Sequence, residues 1–158
     1  MEVQYKVLKA EDSRAYRELR LESLRKNPEA FGSDYQTQSQ LSKLFFEEVL
    51  ETGSRNHVVL GALCEGKLVG LCGLLSQGQA QSLELVQMFV APECRGQSIG
   101  KALLSKAESI LQSRHEDSLT LTVYTDNEAA IRSYESFGFT RVLQHDNEIT
   151  MKFQPETS

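Results

Sequence analysis

Hydrophobic and polar residues change their repeat several times along this chain, and each repeat has its own geometric meaning. Val3, Tyr5 and Val7 alternate with Gln4, Lys6 and Leu8, a period of two that predicts a first strand with one face more polar than the other. The period then lengthens. Ala15, Tyr16, Leu19 and Leu24 keep helical spacing, with Arg14, Arg17, Glu18, Arg20, Glu22 and Arg25 assigned to the wetter faces. Asp12 or Ser13 is expected to cap this helix, and Asn27-Pro28 to end it. Residues 28–40 are largely polar and carry two aromatics, Phe31 and Tyr35. A second helix is expected over Leu41–Leu50, closed by Gly53.

The middle of the chain reads as strand. His57–Cys64 and Leu68–Leu75 flank Glu65-Gly66-Lys67, a short glycine-containing connection that predicts an antiparallel hairpin. Residues 77–81 turn the chain back into a third consecutive strand over Leu83–Val90, which Pro92 stops because proline cannot donate to a sheet ladder. His57 reads as a strand-end residue, with no Cys, Asp or His at ligand spacing. From Ala102 a broad apolar stripe of Leu103, Leu104, Ala107, Ile110 and Leu111 predicts a core helix. A fifth strand follows over Leu119–Val123. Then Asp126 or Asn127 caps a last helix in which Ala130, Tyr134 and Phe137 share a face, with Gly138 as its stop. Two final strands, Phe139–Gln144 and Glu148–Phe153, meet at the turn Asp146-Asn147.

Composition narrows the partners. The 158 residues suit one domain with its own core, and 40% apolar with 25% charged residues is ordinary for a soluble protein. A net charge of −5 argues against nucleic acid, which wants a concentrated basic face, and favours a cationic amine. Cys64, Cys72 and Cys94 are odd in number and lack a CxxC, so they read as reduced thiols rather than disulfides or a zinc site. The N-terminus carries neither a basic n-region nor an apolar h-region, and no stretch approaches a membrane span. A cytoplasmic protein without a membrane or metal partner is the expectation.

The chemistry concentrates in residues 83–104, where a strand runs through a turn into a helix. Unpaired N–H groups at a helix start attract phosphate; Gly96 and Gly100 let the main chain approach it, and Arg95 adds a positive charge. Neither common phosphate loop fits. Gly96 and Gly100-Lys101 have three residues between them, not the four of a Walker A loop, and Gly96-x-x-x-Gly100 is not a dinucleotide fingerprint. Val90-Ala91-Pro92 and Arg95-x-x-Ser98-x-Gly100 instead resemble the acetyl-CoA loop of the GNAT superfamily of N-acetyltransferases, Gln/Arg-x-x-Gly-x-Gly/Ala after a strand ending in Val-x-Pro. Ser98 is the one departure. A second, independent segment is similar to the family's later strand and helix: Asn127, Ala130, Tyr134 and Gly138-Phe139 fall in register.

That resemblance spans nearly the whole chain and implies a mixed α+β acyltransferase fold. Its sheet has seven mostly antiparallel strands, helices on both faces, and a splay between strands four and five that holds acetyl-CoA as acetyl donor. It implies that Met88, Phe89 and Val90 meet pantetheine through their backbones. Arg95, Gly96, Gln97, Ser98, Ile99, Gly100 and Lys101 would meet the pyrophosphate, with Asn127, Ala130 and Tyr134 completing the site. Tyr134 stands at the family's general-acid position, its alternative being a core tyrosine, and Glu84 is the best carboxylate for a base. Phe31 and Tyr35 are candidates to line the acceptor site. Transfer to a primary amine of a small molecule or peptide is the expected reaction, and the superfamily allows a homodimer. The alternative is a non-catalytic acyl-CoA-binding module on the same fold.

Overall fold

A computed structural model of the chain describes residues 2–27 and 34–155. Its strands are β1 (Val3–Val7), β2 (Val58–Cys64), β3 (Lys67–Ser76), β4 (Ser82–Val90), β5 (Ser118–Tyr124), β6 (Thr140–His145) and β7 (Glu148–Phe153). They form one sheet in the order β1-β2-β3-β4-β5-β7-β6, antiparallel throughout except where β4 meets β5. The helices are α1 (Ser13–Lys26), α2 (Tyr35–Ser39), α3 (Phe45–Thr52), α4 (Ile99–Leu111) and α5 (Glu128–Phe137).

Alternation along the strands divides the core in two. Leu60, Leu74, Leu83 and Leu85 pack with Leu103 and Leu104 of α4 and Ile131 of α5. Val59, Leu71 and Phe89 face the other way, onto Tyr16 and Leu19 of α1 and Phe46 and Val49 of α3. Gly73 of β3 lets α3 lie close, since a Cβ there would sit 2.6 Å from the Phe46 ring.

Two irregularities in β4 shape the site. Only Ser82, Leu83 and Glu84 pair with β5, opposite Ser118, Leu119 and Thr120, and beyond them the strands part. The Ser82 and Ser118 hydroxyls, 2.7 Å apart, close the narrow end of this fork. Further along, Leu71 pairs with Phe89 and Gly73 with Val86, so Cys72 alone stands opposite Gln87 and Met88, and Gln87 takes φ 61°. This is a β-bulge, and it brings Val86 and Phe89, three residues apart, onto one face.

The helices depart from the sequence expectation mostly at their ends. Asp34 caps the short α2 by accepting from the Thr37 N–H at 2.7 Å, and the next helix starts at Phe45 rather than Leu41. Leu44 precedes it, buried, with its N–H donating to Glu47 at 2.8 Å. Neither Asp12 nor Ser13 caps α1 through its side chain; Asp12 accepts from the Lys9 N–H at 2.8 Å across a 3₁₀ turn, Ala10–Asp12, that leads into the helix. α4 begins three residues earlier than its apolar stripe suggested, because Ile99 is buried on the same face. Arg20, assigned to a wet face, is buried at 6% exposure.

Candidate active site

The fork opens into a cavity of about 910 Å³. β4 from Glu84 to Val90 forms one wall, β5 from Leu121 to Tyr124 and α5 with Asn127, Ala130 and Tyr134 form another, and Arg20, Phe45 and Phe46 close it from α1 and α3. Past Glu84, the β4 backbone groups that would face β5 have no strand to pair with. An extended amide chain fits such an edge as an added strand would.

At the open end the chain makes a 3₁₀ turn, Pro92–Cys94, and then the loop into α4. The Arg95 N–H is already taken by the Pro92 carbonyl at 3.3 Å, so the main-chain donors available to an anion begin after it, a correction to the expected set. Its side chain is fixed as well: Nε donates to the Val90 carbonyl at 3.0 Å, and the guanidinium lies 5.7 Å from the centre of the Phe89 ring. Gly96 at φ 83° and Ser98 at φ 62° both take left-handed backbone. Ser98 precedes α4 without a side-chain cap, which leaves the first-turn N–H groups of Ile99, Gly100 and Lys101 outside the helix's own bonding. Open space adjoins Gly100, where an added Cβ would meet nothing within 4 Å. Gln97 and Lys101 are exposed; the Ile99 side chain is a core anchor, so only its backbone serves the loop.

Asn127, rather than Asp126, caps α5: its side-chain oxygen accepts from the Ala130 N–H at 3.3 Å. One turn on, Tyr134 reaches the cavity with its ring edge-on to Phe139 at 5.6 Å. Burial raises its phenol well above the ordinary 10.0, and the Cys72 thiol nearby adds to the shift. Cys72, wholly buried in β3, is itself pushed up to about 12 by desolvation. Glu84, partly buried, ends the paired stretch of β4 and lines the same cavity. The two predicted catalytic side chains therefore share one space.

The α1 and α3 side of the cavity has a different aromatic from those expected to line an acceptor site. Phe31 lies outside the described residues, and Tyr35 opens α2 at the surface, 36% exposed and apart from the cavity wall. The aromatic that stands there is Phe45, 54% exposed, at the start of α3. Arg20 joins it from α1. The Tyr16 hydroxyl, one turn before Arg20, donates to Gln87 Oε1 at 2.7 Å and ties the β4 bulge to α1. Arg17 binds Glu47 and the carbonyls of Ser39 and Leu41, bracing α1, α2 and α3 together. A signal for Arg20 existed: it stands at i+4 from Tyr16 and i−4 from Leu24, on the buried stripe itself. Among the described residues no three His, Cys, Asp or Glu side chains cluster as metal ligands.

Comparison with known proteins follows this geometry. Residues 15–139 match the acetyltransferase (GNAT) family. A Bacillus subtilis (strain 168) protein, provisionally named a ribosomal protein bS18-alanine N-acetyltransferase, is 30% identical over 125 residues, covering 78% of this chain and 79% of that protein. N-alpha-acetyltransferase RimI of Mycobacterium tuberculosis is 37% identical over 89 residues, 55% of this chain and 54% of its own. In fold, the PaiA N-acetyltransferase of Thermoplasma acidophilum, solved with coenzyme A, matches with a TM-score of 0.81 at 24% identity, covering 98% of this chain and 100% of that one.

Proposed function

Because the chain belongs to the acetyltransferase (GNAT) family, we propose that it moves an acetyl group from acetyl-CoA to a primary amine of a small molecule or peptide by direct attack in a ternary complex. The observation that carries this is the fork, a sheet edge that leads from Glu84 and Tyr134 straight to the N-terminus of α4. When bound, acetyl-CoA supplies the activated acetyl thioester. The unpaired β4 edge past Glu84 would bind and align the pantetheine arm, and the N–H groups from Gly96 to Lys101 would hold the pyrophosphate.

Tyr134 keeps its proton through the physiological range, since burial favours the neutral phenol, and so holds a proton ready for the departing thiolate. Glu84 accepts the proton that the incoming ammonium must lose, directly or through one water. β4 N–H groups at the bulge supply fixed donors for charge developing on the carbonyl. A covalent route has less support, because Cys72 is held as a thiol and Cys94 is buried. The three free thiols fit a reducing compartment, and we place the reaction in the cytoplasm.

The test is an amine panel at fixed acetyl-CoA, scored by free thiol after subtraction of hydrolysis, with thermal unfolding followed in parallel. Amine-dependent thiol release together with a rise in Tm on adding acetyl-CoA is expected. A thermal shift without amine-dependent release would instead favour an acyl-CoA-binding module, and no shift at millimolar acetyl-CoA would remove the binding site.

A further inference from the structure

We propose that Tyr16 is a positioning residue for acetyl transfer: by bonding Gln87 it fixes the backbone of the β4 bulge, whose N–H groups serve the charge developing on the thioester carbonyl; this rests on the acetyl-transfer reading above. Packing explains why a bulge is there. Val86 and Phe89 both face the core of α1 and α3, while Leu85 and Met88 face the other core, so one extra residue must fit between them. Packing of these neighbours does not fix how the extra residue turns its peptides. Gln87 takes φ 61°, a left-handed conformation that is unfavourable for a residue with a side chain and persists where the surroundings hold it. The hold is the Tyr16 hydroxyl, which donates to Gln87 Oε1 at 2.7 Å.

Tyr16 is well placed for this work. It is 1% exposed, with its ring edge-on to Phe46 at 6.2 Å, so the hydroxyl is carried on a packed ring. Burial raises the phenol above its ordinary 10.0, which keeps the O–H a donor through the physiological range, and the Gln87 amide does not ionise. The helix behind it is braced in turn, since Arg17 binds Glu47 and the carbonyls of Ser39 and Leu41. Fixed contacts thus run from α1 and α3 to the bulge, where Gln87 and Met88 line the same cavity as Glu84 and Tyr134. A donor for charge that arises only in the transition state helps most when it is already oriented before reaction. Loosening it slows transfer and leaves donor binding nearly intact.

The experiment is a double-variant cycle. Tyr16→Phe removes the hydroxyl and keeps the ring, and Gln87→Met removes the acceptor and keeps the length of the side chain. Single-turnover acetyl transfer is followed from acetyl-CoA to spermidine, leucine and an alanine-initiated hexapeptide, with acetyl-CoA affinity measured by calorimetry. Each variant is expected to slow transfer by roughly fivefold to fiftyfold while the acetyl-CoA dissociation constant moves less than about threefold. The double variant should be no slower than the slower single one, because both changes remove the same bond. A tyrosine that only supports the fold would lower Tm and leave the transfer rate of the folded protein unchanged; that result overturns the proposal, as do losses that multiply in the double variant. Should Tyr16→Phe not fold, Gln87→Met decides, and transfer at the wild-type rate overturns the proposal. Wild-type transfer that both variants retain removes this inference alone, while acetyl-CoA binding without transfer to any of the three amines removes the transferase reading with it.

Discussion

Tyr134 shows how one side chain's surroundings set its chemistry. A phenol raised by burial and by a neighbouring thiol stays protonated well past neutrality, which is the state a general acid needs. Tyr134→Phe removes only the O–H and keeps the ring against Phe139. Turnover should fall by roughly tenfold to a thousandfold while the acetyl-CoA dissociation constant moves less than about twofold. Steady-state kinetics with calorimetric titration measures both, and equal losses would assign the residue to packing. Glu84→Gln is expected to lower kcat/KM by roughly tenfold to a hundredfold with acetyl-CoA affinity little changed; an unchanged kcat/KM would exclude Glu84 as the base. That both residues line one cavity was legible in the sequence, because they belong to local segments with their own registers. Arg20 was misread there: its charge assigned it to a wet face although it stands one turn from both Tyr16 and Leu24, on the stripe that packing buries.

At the scale of elements, the strands were legible and the helix starts were not. The apolar pattern of the central strands survives packing because β2, β3 and β4 feed both cores, whereas α2 and α3 are separated by a cap at Asp34 and by the burial of Leu44. The bulge at Gln87 had no signature, since it arises from the pairing of β3 with β4 and from the Tyr16 hydroxyl. The loop from Gly96 to Lys101, proposed to hold the pyrophosphate, is the opposite case. It is a short run of glycines before a helix, and its one departure from the family pattern has a conformation: Ser98 sits at φ 62° and ψ 22°. A side chain there costs about 1 kcal/mol relative to glycine. Ser98→Gly should therefore stabilise the fold by roughly that amount and change the acetyl-CoA dissociation constant less than about tenfold, because the main-chain N–H is kept. Ser98→Leu should weaken binding more by crowding the phosphate space. Calorimetry on both variants checks this, and a leucine variant that binds like the parent would show that residues 96–101 do not hold the pyrophosphate.

Over the whole molecule, the same burial that tunes the site makes the fold sensitive to alkali. Cys72 lies wholly buried in β3, and its thiol is pushed up to about 12 from an ordinary 9.0. Tyr16 and Tyr134 are raised above 10.0, each mainly by desolvation. In all three the native state holds a proton that the unfolded chain gives up sooner, so the unfolded state binds fewer protons and stability falls as pH rises. The contribution is intact below pH 9. Between pH 9 and 10 the thiol alone acts, with a slope approaching about 1.4 kcal/mol per pH unit, and above 10 the two phenols bring the total toward roughly 4 kcal/mol per unit. Urea unfolding measured at intervals from pH 7 to 11 should give a plateau, a shallow decline beginning near 9 and a steeper one beyond 10. Cys72→Ala should extend the plateau toward pH 10 while leaving the later decline, since the tyrosines remain. A decline that starts near 9 with or without the thiol would show that Cys72 does not bear the linkage.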